Sequence, residues 1–191
     1  MTSGAPCRVI LIGMMGSGKS TIGLRLAAAT GWPYVDNDDL LRRAHGTTAR
    51  RILADQGEAA MRRAESDALA LGLETPAPAI IGVAAGTILE PGDRERLRSG
   101  GVVVWLRADA AALERRAAGG EHRPWVDTAG AGWIREAVAS RAPLYASVAA
   151  ITIDTGRGSS VRAAAELFER LGAVAGCADQ LRSVAPRPPR T

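Results

Sequence analysis

Eight residues near the amino terminus combine flexible glycines with a positive charge and hydroxyl groups. The stretch Gly13–Ser20 reads GMMGSGKS and fits the pattern GxxxxGK[ST]. In this pattern the glycines let backbone N–H groups turn toward phosphate oxygens, the lysine reaches the β- and γ-phosphates, and the last hydroxyl binds Mg²⁺. Lys19 is also the only lysine of the chain. The stretch therefore predicts a site for ATP and Mg²⁺.

The segments on either side of the glycine-rich stretch have the character that a phosphate-binding loop requires. The apolar run Arg8–Ile12 predicts a strand before it, and Lys19–Ala29 predicts a helix after it, so phosphates would lie at the positive end of a helix. Lys19 is the predicted catalytic contact and Ser20 the predicted metal ligand. The predicted nucleotide contacts are Gly13, Met14, Met15, Gly16, Ser17, Gly18, Lys19, Ser20 and Thr21.

Acidic residues follow the second candidate strand, Tyr34–Asp36. Asp36 and Asp38 are separated by one residue in the sequence YVDNDD, so they share a side in an extended segment. Acids at the carboxyl end of a strand face the ligand crevice of a parallel α/β sheet. One carboxylate can therefore serve the metal and the other the phosphate acceptor. The alternative is that one or both of them only cap the next helix, a role for which Asp39 is the better candidate.

Candidate strands and helices alternate along the remaining chain. The strands are predicted at Arg8–Ile12, Tyr34–Asp36, Ala79–Val83, Val102–Leu106 and Ala150–Ile153. The helices are predicted at Lys19–Ala29, Thr47–Leu73, Arg94–Ser99, Ala110–Ala117, Trp133–Tyr145 and Ser160–Leu171. This alternation predicts an α/β fold of three layers, in which helices cover both faces of a parallel sheet.

The composition indicates one folded domain. Hydrophobic residues make up 47% of the 191-residue chain, and no apolar run approaches the roughly 18 residues that suggest a membrane span. The net charge of +4 is distributed over segments such as DRERLRSG, where arginines and acids are mixed. We therefore expect no membrane and no nucleic-acid partner, because nucleic-acid binding needs a clustered basic face.

Two cysteines and two segments without periodicity complete the sequence-based expectations. Cys7 and Cys177 lie near opposite ends of the chain, and such sparse cysteines predict free thiols in the reducing cytoplasm. Residues 119–132 form a long glycine-flanked segment, which predicts a functional lid. Residues 172–191 predict a disordered tail after a domain of residues 1–171. We expect the protein to be a monomer.

Five motifs in this order resemble the shikimate kinases: LIGMMGSGKSTIGLRLA, VDND, GEAAMRRAESDAL, HRP and SRAPLY. The resemblance extends from Val9 to Leu171. It implies a P-loop kinase with sheet order 2-3-1-4-5, a mobile lid and a helical substrate-binding region over residues 37–73. The activity it implies is transfer of the γ-phosphate of ATP to the 3-hydroxyl of shikimate, in aromatic amino-acid biosynthesis.

The resemblance also implies roles for individual residues. Asp36 would bind at the metal site and orient the water of Mg²⁺, and Asp38 would bind the acceptor hydroxyl and accept its proton. Arg62 and Arg141 would bind the substrate carboxylate, whereas Arg123 would neutralise charge on the transferred phosphoryl group. Arg116 and Arg157 would lie along the adenine, and Ala85 and Gly86 would line the substrate site. Helical spacing independently places Glu58 and Glu65 beside Arg62.

The acceptor side departs from the family pattern. The position of the glycine triplet of these kinases corresponds here to Ala84-Ala85-Gly86. Met61 replaces the aromatic residue that usually precedes the carboxylate-binding arginine. Two extra methyl groups would narrow the acceptor pocket. Shikimate is therefore one expected acceptor, and another small hydroxylated acid or a cyclitol is the alternative, including a gluconate-type kinase. Further alternatives are a nucleoside monophosphate kinase and a nucleotide-binding paralogue without transferase activity.

Overall fold

A five-stranded parallel sheet forms the centre of the computed structural model, which describes residues 7–118 and 132–183. The strands are β1 Arg8–Ile12, β2 Tyr34–Asp36, β3 Ala79–Gly82, β4 Val102–Arg107 and β5 Ile151–Asp154. They lie in the order β2-β3-β1-β4-β5, and every neighbouring pair is parallel. The predicted order is confirmed, and the carboxyl ends of all the strands meet at one edge.

Helices connect the strands. They are α1 Lys19–Thr30, α2 Asn37–His45, α3 Ala49–Gln56, α4 Glu58–Leu73, α5 Pro91–Gly100, α6 Ala110–Ala118, α7 Trp133–Val148, α8 Ser160–Leu171 and α9 Cys177–Arg182. A short 3-10 helix spans Thr87–Leu89 after β3. No helix within residues 7–118 and 132–183 combines the length and apolar character needed to cross a bilayer.

Both faces of the sheet are buried, because alternate residues of β1 enter different apolar clusters. Val9 and Leu11 pack with α1, α8 and α9, whereas Ile10 and Ile12 pack with α4, α5 and α7. All four side chains are 2% exposed or less. This two-sided burial explains why the strand sequences are continuously apolar, and the three-layer prediction is confirmed.

The helical region of residues 37–73 contains two breaks. The sequence predicted a single helix over Thr47–Leu73, which is wrong, because Gly57 adopts φ 83° between α3 and α4. Gly46, with φ 66°, similarly ends α2. Glycine is favoured at these two turns because a residue with a Cβ atom is strained at positive φ. Helices α2, α3 and α4 together form a third, smaller apolar cluster that contains Leu41 and Met61.

The two cysteines form a disulfide bond. Cys7 and Cys177 are 170 residues apart in sequence, but their Cα atoms are 4.7 Å apart. Both side chains are buried, and the Cys7 backbone N–H donates a hydrogen bond to Gln180 Oε1 at 2.9 Å. The prediction of free thiols is therefore wrong, because sequence separation does not reveal that α9 folds back against the start of β1. The cysteines accordingly lend no support to a reducing compartment.

The carboxyl-terminal segment is helical in part. Residues 172–191 were predicted to be disordered, but α9 packs into the core through Cys177 and Leu181, which are 1% and 8% exposed. The prediction is therefore wrong for residues 172–183. Residues 184–191 lie outside the described residues, and so do residues 119–131 of the predicted lid.

Candidate active site

The phosphate-binding loop follows β1 and leads into α1. Gly13, Gly16 and Gly18 have φ of 142°, 81° and 97°, a region that side chains rarely occupy. A Cβ atom on Gly13 would also lie 2.6 Å from the carbonyl oxygen of Leu106 in β4. The Lys19 ammonium lies across the loop and donates hydrogen bonds to the carbonyl oxygens of Gly13 and Met14 at 2.9 and 3.1 Å. The loop thus has the backbone form that cradles phosphate at a helix N-terminus.

A cleft of about 950 Å³ extends from this loop across the carboxyl edge of the sheet. Within the described part of the chain, every residue predicted for the site lines it except Gly13 and Arg157. Arg157 instead lies against a separate cavity of about 300 Å³ beside Trp105. The chain turns at Gly158, with φ 93°, and both Gly158 and Ser159 line the cleft. The place of Arg157 along the adenine stays a prediction.

One corner of the cleft brings a hydroxyl and a carboxylate together. Ser20 Oγ donates a hydrogen bond to Asp36 Oδ2 at 3.0 Å, and the Tyr34 hydroxyl donates to the same oxygen at 2.7 Å. Asp36 Oδ1 accepts a hydrogen bond from the Asp38 backbone N–H at 3.0 Å and so caps α2. The expectation that Asp39 is the better candidate for this cap is wrong, because β2 ends one residue before the helix begins.

The donor atoms in this corner suit Mg²⁺. They are oxygens of a hydroxyl and a carboxylate, which hard divalent cations prefer. No group of three or more His, Cys, Asp or Glu side chains that could hold a metal lies within residues 7–118 and 132–183. Mg²⁺ commonly binds through one or two protein groups and completes its shell with water and substrate phosphates. Ser20 and Asp36 therefore fit such an ion beside the phosphate-binding loop.

A second corner of the cleft contains an arginine held by two carboxylates. Arg62 donates to Glu65 Oε2 at 2.8 Å and to Glu58 Oε1 at 2.9 Å. The side chains of Arg62 and Glu65 are 12% and 10% exposed, whereas Glu58 is 61% exposed. The neighbours expected from helical spacing are confirmed, and they fix the guanidinium in one orientation toward the cleft.

Gly86 is the glycine that this corner requires. A Cβ atom at Gly86 would lie 1.5 Å from Arg62 Nη1 and 2.6 Å from Glu65 Oε2. The backbone φ of Gly86 is −82°, so the requirement concerns space and not backbone conformation. Ala84 and Ala85 line the same cleft, each partly buried. The guanidinium of Arg62 therefore occupies the place that a side chain at residue 86 would fill.

The buried Arg141 also lines the cleft. It is 9% exposed, and its guanidinium lies 5.7 Å from the ring centroid of Trp133. One helical turn later, the hydroxyl of Tyr145 donates a hydrogen bond to the carbonyl oxygen of Ala85 at 2.8 Å. Helix α7 thus places the Arg141 guanidinium at the cleft, and its Tyr145 hydroxyl anchors the loop that follows β3.

This chain is similar in sequence and in fold to other proteins of known structure or family. The family model "Shikimate kinase" matches residues 15–172. The shikimate kinase of Symbiobacterium thermophilum is 37% identical over 85% of this chain and 95% of its own. That of Paramagnetospirillum magneticum is 40% identical over 61% of this chain and 59% of its own. A shikimate kinase from Acinetobacter baumannii, solved in complex with shikimate, superposes with a TM-score of 0.81 at 27% identity, covering 88% of this chain and 94% of that one.

The chain belongs to the shikimate kinase family. It is therefore an ATP-dependent small-molecule kinase with the P-loop fold. In the described part of this family member, residues 14–21 of the phosphate-binding loop line the same cleft as Asp38, Arg62 and Arg141. Arg123, the predicted phosphoryl-neutralising residue, lies outside the described residues.

The environment of the cleft raises the pKa of two of its carboxyl groups, those of Asp38 and Glu65. Burial against the cleft walls raises the pKa of Asp38, and the neighbouring Asp36 charge raises it further, whereas Lys19 lowers it. Burial likewise raises the pKa of Glu65, an effect that the Arg62 charge opposes. Perturbed carboxyl groups in a cleft are typical of catalytic sites.

The cleft contains one further predicted arginine and several residues that the sequence-based prediction missed. Arg116, predicted to lie along the adenine, donates a hydrogen bond to the Gly16 carbonyl oxygen at 2.9 Å and another to the Thr155 carbonyl oxygen. Thr155 itself, with Trp133 on the acceptor side, had not been singled out. The sequence carried a weak signal for Thr155, which directly follows the carboxyl end of β5.

Proposed function

We propose that this kinase transfers the γ-phosphate of ATP to the 3-hydroxyl of shikimate, with Mg²⁺ as cofactor. The observation that carries the proposal is that two arginines, Arg62 and Arg141, line the same cleft as Asp38. A ring acid with hydroxyl groups needs a cation for its carboxylate and a base for the reacting hydroxyl. Planar guanidinium groups suit the first need because they bind a carboxylate with two parallel hydrogen bonds.

On the donor side, the protein supplies alignment and positive charge. Phosphoryl transfer asks little covalent chemistry of an enzyme, since charge develops on the equatorial oxygens of the transferred group. Lys19 reaches these oxygens from the loop, and backbone N–H groups hold the phosphates at the amino end of α1. Ser20 and Asp36 would hold Mg²⁺, which supplies further charge neutralisation when it is bound.

On the acceptor side, Asp38 orients the attacking hydroxyl. The carboxylate follows the β2 strand end, beside the phosphate-binding loop, and Lys19 is close enough to lower its pKa. In this position it can accept a hydrogen bond from the hydroxyl and take its proton as the new P–O bond forms. The raised pKa makes Asp38 a stronger base than an aspartate with the ordinary pKa.

The named relatives support shikimate as the acceptor. The Acinetobacter baumannii enzyme is described in complex with shikimate, and residues 15–172 match the shikimate kinase family model. A product of this kind belongs to aromatic amino-acid biosynthesis. A cytoplasmic location, a monomeric state and the absence of a nucleic-acid partner remain predictions from the sequence.

A coupled assay of ADP release tests the proposal. With ATP and Mg²⁺ present, we expect turnover with shikimate and not with gluconate or a panel of cyclitols. Asp38→Asn should abolish this turnover but retain ADP binding, whereas the exposed neighbour Asp39→Asn serves as a matched control with near-normal activity. No turnover of shikimate above the ATPase background would refute the proposal.

A second candidate function is phosphorylation of another small hydroxylated acid. The observation that favours it is the Ala84–Ala85 pair on the cleft wall, where the family pattern has glycines. The double substitution of Ala84 and Ala85 by glycine tests this candidate in the same assay. If the double substitution leaves the acceptor preference unchanged, Ala84 and Ala85 do not determine that preference.

A further inference from the structure

The side chain of Tyr34 lies in a slot formed by two glycines. A Cβ atom on Gly23 of α1 would lie 2.3 Å from Tyr34 Cε2, and a Cβ atom on Gly82 of β3 would lie 2.3 Å from the Tyr34 hydroxyl oxygen. Neither glycine has a positive φ. Both glycines therefore provide room for the phenol ring and its hydroxyl, and do not serve a backbone turn.

The slot directs the Tyr34 hydroxyl to the carboxylate beside the phosphate-binding loop. Three donors engage the two oxygens of Asp36: Tyr34 at 2.7 Å and Ser20 at 3.0 Å on Oδ2, and the Asp38 N–H at 3.0 Å on Oδ1. A phenol is protonated at neutral pH, so the Tyr34 hydroxyl is the donor in this contact. These contacts hold the carboxylate in one rotamer.

We infer that Tyr34 is a positioning residue, which orients the Asp36 carboxylate for the metal ion of the ATP complex. Mg²⁺ demands near-ideal octahedral geometry, so a carboxylate with a fixed orientation binds the ion and its water shell better than one that rotates. Phenylalanine would fill the same slot between Gly23 and Gly82. The hydroxyl is thus the part of the residue that reaches the carboxylate. The inference rests on the proposed Mg²⁺ site but not on the identity of the acceptor.

The substitution Tyr34→Phe tests the inference with binding measurements that need no acceptor. The first is the dissociation constant of Mn²⁺ for the ADP-bound protein, from the electron paramagnetic resonance signal of free Mn²⁺. We expect this constant to rise about 10-fold, as is typical when a partner of a metal-binding carboxylate is removed. The second is the affinity for ADP in EDTA, measured by calorimetry, which we expect to stay within about twofold because the loop itself is unchanged.

Tyr145→Phe is the matched control, because it removes the hydroxyl of the other tyrosine of the chain. That hydroxyl donates to the Ala85 carbonyl oxygen, on the acceptor side, so the Mn²⁺ constant should not change. A Tyr34→Phe protein with unchanged Mn²⁺ affinity would overturn the inference, even if its melting temperature fell, since the hydroxyl would then serve packing alone. An ADP-bound wild-type protein that fails to bind Mn²⁺ would refute the metal site and the positioning role together.

Discussion

The contact between Gly86 and Arg62 yields a sharp prediction about the acceptor site. Gly86→Ala adds one methyl group where the Arg62 guanidinium now lies, 1.5 Å from the new Cβ position. Nonbonded carbon and nitrogen atoms cannot approach so closely, so Arg62 must leave its place between Glu58 and Glu65. The backbone at residue 86 is not strained by alanine, because its φ is −82°. The effect therefore acts through the arginine.

The size of the effect follows from the hydrogen bonds that Arg62 loses. A hydrogen bond to a charged group contributes about 1.5–3 kcal/mol. Loss of one such bond to the acceptor carboxylate should raise the acceptor KM roughly 10- to 150-fold. The ion pair with Glu65 is also disturbed. The pair with Glu58 matters little, because exposed ion pairs contribute about 1 kcal/mol or less.

Steady-state kinetics with varied acceptor and varied ATP measure this prediction. The acceptor KM should rise while the KM for ATP stays within about twofold, because Gly86 lies outside the phosphate-binding loop. Gly92→Ala is the matched control: this glycine is in the first turn of α5, and a Cβ atom there meets nothing within 4 Å. An acceptor KM for Gly86→Ala within twofold of wild type would refute the role assigned to Arg62.

Three further predictions concern charge and cross-linking. Lys19→Ala should abolish transfer to every acceptor in the coupled assay, since no other lysine can replace it; residual turnover above about 1% would contradict this. Protein purified without reductant and then denatured should show no free thiols on titration. Reduction of the Cys7–Cys177 bond should destabilise the fold by about 2–5 kcal/mol in a urea titration. Because burial raises the pKa of Glu65, the folded state binds its proton at a higher pH than the unfolded chain does. The wild type should therefore gain stability relative to Glu65→Gln as the pH falls through the raised pKa toward the ordinary value of about 4.3. If the difference in unfolding free energy between the two proteins does not change with pH, the raised pKa of Glu65 is contradicted.

Local sequence patterns predicted the sheet and the donor side of the cleft well. The strand β1, the loop Gly13–Ser20 and the start of α1 were each recognisable from contiguous residues. The ion pairs of Arg62 were also predictable, because residues three and four positions apart share a helix face. In each of these cases the interacting residues lie within about eight positions of one another along the chain. The periodicity of a strand or helix, or a contiguous motif, is therefore enough to predict the contact.

The sequence by itself thus determined the order of the parallel strands, through the resemblance of its motifs, and the chemistry of the phosphate-binding loop. Tertiary structure decided how residues from different elements share space. It decided that Cys177 meets Cys7, that Arg62 occupies the space beside Gly86, and that Tyr34 reaches Asp36 through a slot between α1 and β3. These contacts depend on the distances between packed helices and strands, which close packing sets only after the whole chain has folded.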